Sequence, residues 1–229
     1  MNVSPRQRIL DRVCAATRAD SNDYAGLPRS YIRAGALDQA GRLRLMTERL
    51  REYGAEVVAS SPADLPSLVA HRLLESGRQH FAAPPGLPAE WLSRSLSWKV
   101  DNNLSHEEIE HCGGVVTAAS AGIADSGTIV LHHGPLEGRR VITLLPDFHL
   151  CILRAAQIFE TLPEYFACFP QAPRLATYIS GPSATADIEM TRINGVHGPR
   201  FLSVIIVRDS PTSAEIQSST NEAVRHDAI

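Results

Sequence analysis

The chain has 229 residues, of which 44% are hydrophobic and 21% charged. The 22 Lys and Arg against 25 Asp and Glu leave a formal net charge of −3. This ordinary mix excludes wholesale disorder, a fibre and a membrane bundle, and it offers no global basic excess for nucleic-acid phosphates.

Along the chain, residues 6–16 predict a first helix, and residues 21–30, with Gly26 and Pro28, a loop. Residues 37–53 predict an amphipathic helix. Leu43, Met46, Leu50 and Tyr53 recur every three or four residues and form one stripe, and Gly54 stands where a C′ glycine ends a helix. A strand at 55–59, a helix at 61–77 and a strand at 79–83 follow, with Asp64 as the helix N-cap and Gly77 as its stop. That β–α–β order predicts a largely parallel sheet covered by helices. A proline-rich turn at 84–88 precedes a short amphipathic helix at 91–96. Ser105 and Glu108 have the capping-box spacing of a helix start, and Gly113-Gly114 ends that helix.

Residues 115–120 are apolar without alternation, as in a strand buried on both faces. A loop at 121–127, a strand at 128–132, a turn at 134–140, strands at 141–145 and 148–153, and a helix at 155–166 come next. Strands at 175–179 and 201–207 close the pattern, and residues 209–229 are polar enough to predict a flexible tail. The whole predicts a three-layer α/β/α sandwich with a short N-terminal helical segment. Its sheet is mixed but mostly parallel, since the short links between 120 and 153 suit hairpins better than crossovers.

The N-terminus shows no apolar export segment, and the weakly charged stretch 112–136 contains Asp125, two histidines and five glycines. It fails as a spanning helix, so a soluble, cytoplasmic protein without membrane insertion is expected. Cys14, Cys112, Cys151 and Cys168 contain no CxxC pair. We therefore expect no cofactor, cluster or metal held by this chain, no disulfide, and four buried or half-buried thiols.

Three segments carry candidate chemistry. Residues 120–128, SAGIADSGT, join two predicted strands. There Ser126, Gly127 and Thr128 offer hydroxyls and a close backbone approach for an anion, or simply a tight turn. Residues 179–189, ISGPSATADIE, follow a strand. Ser180, Gly181, Ser183 and Thr185 suit an anion, while Asp187 and Glu189 suit proton transfer or capping. In GVHGPR (195–200), His197 between glycines is a candidate acid or base, with Gly198 and Arg200 beside it as ligand contacts. His106 and His111 are five apart, which is not the HExxH spacing. His132 and His133 are expected on opposite faces of a strand.

GIADSGTIVL, GRRVITLLPDFH and ISGPSATADIEMTRINGVHGPRFLSVIIV, in that order, resemble the LUD domain of the LutC/YkgG family of lactate-utilisation proteins. Asp125 stands where many relatives carry Glu. The resemblance implies a LUD domain over 37–208 between the helical segment at 1–36 and the tail. It also implies a fold similar to the NagB/RpiA/CoA-transferase-like superfamily. It further implies a part in oxidising L-lactate to pyruvate beside two iron–sulfur proteins, which carry the clusters. A small anionic metabolite is the expected ligand. Glu189 and His197 are the proton-handling candidates, and Asp187 orients one of them. A non-catalytic assembly or metabolite-sensing subunit, and a stand-alone enzyme acting on a CoA ester, folate or sugar phosphate, are the rival readings.

Overall fold

The computed structural model describes residues 4–17, 26–28, 30–171, 173–181 and 198–208. The chain divides into two compact units, residues 1–32 and 33–229. In the first, α1 (Pro5–Thr17) is a helix with no buried residue.

The second unit begins with α2 (Gln39–Glu52). The Asp38 side chain accepts a hydrogen bond from the Gly41 amide at 2.7 Å and so satisfies one open donor of the first turn. Met46 and Leu50 are buried, and Leu43 and Tyr53 pack against the same cluster, so the stripe read from spacing is the face the helix buries. After β1 (Glu56–Ser60), α3 (Leu65–Glu75) buries Leu65, Val69 and Leu73. Asp64 does not cap α3 through its side chain. Its backbone is already helical, and its carboxylate accepts instead from the Ser61 hydroxyl at 2.7 Å.

The remaining elements, in order, are β2 (His80–Ala83), β3 (Ser97–Val100), α4 (His106–Glu110), β4 (Gly114–Ala118), β5 (Ala121–Ile123), β6 (Thr128–Leu131), β7 (Phe148–Arg154), β8 (Ile158–Phe159), α5 (Leu162–Cys168), β9 (Thr177–Ile179) and β10 (Phe201–Val207). Among the described residues the strands form two sheets. The larger, in the order β1-β10-β7-β4-β2-β3, is parallel at every pairing. The smaller, β8-β5-β6-β9, is antiparallel at β5–β6 and β6–β9 and parallel at β5–β8.

Alternation along the large sheet sorts the core. Phe148, Leu150, Ile152, Val116, Ile205 and Val207 face α3, while Cys151, Leu153, Val204 and Ile206 meet α2 together with Ile129 and Leu131 of the small sheet. The small sheet is thus half of one covering layer. Its outer residues Ala121, Ile123 and Val130 are covered in turn by Tyr165 of α5.

Several local expectations change. Residues 141–145 are not a strand. A 3-10 turn over Arg140–Thr143 drops Ile142 into the cluster of Ile109, Cys112 and Val115. The helix expected at 155–166 is a 3-10 turn (Ala155–Gln157), then β8, then α5. Thr161 and Glu164 form a capping box there, and Pro163 sits in the first turn, where its missing N–H costs nothing, so the helix starts at this point. The helix expected at 91–96 shrinks to a 3-10 turn at Ala89–Trp91, and the strand β3 follows it. Residues 121–123, expected as loop, are strand β5. The Ser105–Glu108 capping box is present in both directions. All four cysteines are free, with Cys112 and Cys151 buried but Cys14 and Cys168 exposed. The expected tail at 209–229 lies outside the described residues. Among the described residues no helix is long and apolar enough to cross a membrane.

Candidate functional site

The β5–β6 hairpin turns at residues 124–127. Gly127 has φ +64°, a left-handed conformation, and a Cβ added there would lie 2.6 Å from the Cβ of Arg49. Glycine is therefore required twice over, for conformation and for the close approach of the turn to the last turn of α2. Tyr53, just past α2, donates its phenolic hydrogen to the Gly127 carbonyl at 2.6 Å. Burial pushes the Tyr53 hydroxyl up from its ordinary pKa, so it remains a neutral donor.

This pinned turn aligns three hydroxyls. The β6–β9 register sets Ile129 opposite Ile179, which brings Thr128 beside Ser180. The Oγ atoms of Ser126 and Thr128 are 2.7 Å apart, and Thr128 donates to Ser180 at 2.9 Å. Thr128 is buried, whereas Ser126 and Ser180 are exposed. With the Thr128 hydrogen used on Ser180, Ser126 donates to Thr128, and among the described residues no acceptor takes the Ser180 hydrogen. Donors in a chain polarise one another, so the row suits an anionic oxygen at its Ser180 end. Gly181 follows with φ +58°, and among the described residues nothing lies within 4 Å of where its Cβ would stand.

Gly198 and Arg200 lie just before β10. The Arg200 guanidinium is hydrogen-bonded to Asp147, just before β7, and Arg78 donates to the same carboxylate at 3.0 Å. The Arg78 guanidinium lies 5.1 Å from the ring centres of both Phe148 and Phe201. The hydrogen bond from Arg200 first, then that from Arg78, holds Asp147 below the usual carboxylate range. The aspartate of the LLPDFH segment and the arginine of GVHGPR are thus tied across the amino ends of β7 and β10. A cleft of about 370 Å³ opens here, lined by Gly54, Glu56, Arg72, Arg78 and Phe201 among others.

A third polar group is internal. His149 Nε2 lies 2.8 Å from Thr117 Oγ1, and burial lowers the His149 pKa to about 4, so the ring is neutral. Its Nδ1 is buried with no hydrogen-bond partner among the described residues. Burial pushes the neighbouring Cys151 thiol up to about 12, which makes it inert. Glu137, buried at the carboxyl end of β4, accepts from the Ser120 hydroxyl and from the amides of His132 and Gly134. His132 and His133 do not share a strand, because β6 ends at Leu131 and His133 has φ +58°. Their rings tie β6 outward, His132 to the Tyr165 hydroxyl and His133 to Thr177, each at 2.7 Å. Among the described residues no group of three or more His, Cys, Asp and Glu is placed to hold a metal ion.

Of the residues singled out from sequence, the structure brings Ser126, Gly127, Thr128 and Ser180 together, with Gly181 next in the chain. It puts Arg200 on Asp147. Ser183, Thr185, Asp187, Glu189 and His197 lie outside the described residues. Sequence reasoning missed Tyr53 and Arg49. By its spacing Tyr53 reads only as part of the apolar stripe of α2, and nothing local announces contact with a glycine 74 positions on.

Fold and site together define an α/β protein whose parallel sheet carries a second, hydroxyl-bearing sheet. The chain belongs to the LUD domain family, whose model matches residues 48–207. It is 37% identical over 202 residues to lactate utilization protein C of Deinococcus radiodurans, an alignment covering 86% of this chain and 92% of that protein. Over 114 residues it is 37% identical to the uncharacterized protein YkgG of Escherichia coli, covering 47% of this chain and 48% of that one. The crystal structure of a DUF162 family protein from Deinococcus radiodurans superposes with a TM-score of 0.65 at 35% identity. The match covers 75% of this chain and 99% of that one.

Proposed function

We propose that this chain is the LutC-like component of a bacterial system that oxidises L-lactate to pyruvate. It binds the anionic metabolite at the hydroxyl row and works beside two iron–sulfur proteins. The two electrons pass to clusters on those partners and the two protons leave through side chains of this chain. Glu189 and His197 are the proton-handling candidates, Asp187 orients one of them, and Ser183, Thr185, Gly198 and Arg200 are the further ligand-binding candidates.

One observation supports the site above all. Thr128 and Ser180, 52 positions apart in two of the recognised segments, meet at 2.9 Å in a row that ends on the Ser180 hydroxyl. The names of the Deinococcus radiodurans protein and of lactate utilization protein C of Bacillus subtilis, 33% identical over 134 residues, support lactate as the substrate class.

The test is to purify the tagged chain gently from its host grown on L-lactate. Two iron–sulfur proteins should accompany it, and the eluate should reduce a dye in the presence of L-lactate. Thr128→Val, which keeps the shape and removes the middle hydroxyl, should lower that rate about tenfold or more. A chain that emerges alone, or a Thr128→Val complex with full activity, would overturn the reading.

A further inference from the structure

The hydroxyl row is neutral, so an anion bound there leaves its charge without a counter-ion from the row itself. We propose that Arg49, on the last turn of α2, supplies that counter-charge by swinging from Glu52 to a carboxylate bound at the Ser180 end of the row. This inference rests on the anion-site reading and extends it to a residue outside the recognised segments.

The geometry carries it. The Arg49 stem packs directly on Gly127, the residue between Ser126 and Thr128, so its guanidinium swings from a point beside the row. At present the guanidinium sits on both oxygens of Glu52, at 2.9 and 3.0 Å. Both partners of that pair are exposed, Arg49 at 40% and Glu52 at 52% of the side chain. An exposed pair one helical turn apart is weak and exchanges readily. A carboxylate already held by hydroxyls offers the guanidinium a fixed, two-pronged partner that Glu52 on its flexible stem does not. Tyr53 completes the arrangement by locking the Gly127 carbonyl, so that the turn keeps its register against α2.

The experiment is calorimetric titration of the purified full chain with L-lactate at low ionic strength. Arg49→Gln should weaken binding about tenfold or more, and Arg49→Lys should retain part of the affinity. Glu52→Gln frees Arg49 and should tighten binding a few-fold. Circular dichroism and a melting curve check that each variant folds. If Arg49→Gln does not fold, Glu52→Gln decides alone, and an affinity unchanged or weakened overturns the proposal. Thr128→Val separates the two levels of failure. If it weakens binding while the Arg49 and Glu52 variants are silent, the counter-charge is wrong and the site stands. If it too is silent, or the unaltered chain does not bind L-lactate, the site reading falls and the counter-charge with it.

Discussion

The two sheets of this molecule are built on different principles. The large sheet has parallel strands of up to seven residues, covered on both faces by apolar side chains, and its chief polar intrusion is the sealed pair Thr117–His149. The small sheet has strands of two to four residues, and its outer side keeps Tyr178 of β9 exposed. Its hydroxyl row lies in a turn and a strand end rather than in strand faces. The first sheet is a frame whose stability comes from burial. The second is a mount held on that frame by α2, and it carries the exposed residues Ser126 and Ser180.

The contrast predicts unequal responses to truncation. Leu150→Ala removes a fully buried side chain from the centre of the large sheet and should cost about 2–5 kcal/mol in urea unfolding. Tyr178→Ala, at a residue 44% exposed, should cost under about 1 kcal/mol. Equal losses would mean that the small sheet is as much a part of the frame as the large one.

Acid should weaken the frame through His149. Its folded pKa of about 4 lies below the ordinary 6.5, so the unfolded chain binds the proton more readily. Stability is complete above pH 6.5 and falls as the pH drops through that value. The loss stops near pH 4, where both states are protonated. Between pH 7 and pH 5 the loss should be about 2 kcal/mol, read from urea midpoints at the two pH values. His149→Gln should flatten this dependence, and an unchanged slope in that variant would assign the acid sensitivity elsewhere.

The same contrast explains what the sequence revealed. Residues 115–118, 148–153 and 201–207 are long apolar runs, and burial on both faces makes such runs legible without any knowledge of their neighbours. The stripe on α2 was legible because helical spacing is local. Strands β5 and β8 were not, because two or three residues carry no periodicity and their pairing is decided by contacts far along the chain. The segment 141–145 shows the opposite error, since its apolar run satisfies a core through one inserted side chain, Ile142, rather than through a ladder. The recognised motifs located Ser126, Thr128 and Ser180, but not the helix wall of Arg49 and Tyr53 behind them. Its contacts with the turn are purely tertiary.

Gly127→Ala probes the junction between mount and frame. The substitution forces a side chain into a left-handed conformation and against Arg49, and it should cost about 1–3 kcal/mol. L-lactate affinity should fall more than the global stability does, because the displaced turn carries Ser126 and Thr128. A stability loss with affinity intact would show that the turn recovers its geometry.

The mildest change is the most specific. Tyr53→Phe keeps the ring that packs in the α2 cluster and removes only the hydrogen bond to the Gly127 carbonyl. That oxygen is an acceptor at a buried residue, and leaving it unsatisfied should cost about 1 kcal/mol in urea unfolding. The large sheet has no share in this bond, so the amide-exchange protection of β7 and β10 should change only by that global amount. Protection of the amides around residues 124–128 should fall further, because local opening of the turn no longer breaks the tyrosine bond. A uniform loss across both sheets would mean that Tyr53 serves the frame alone. A loss at the turn beyond the global amount would identify it as the latch between the two.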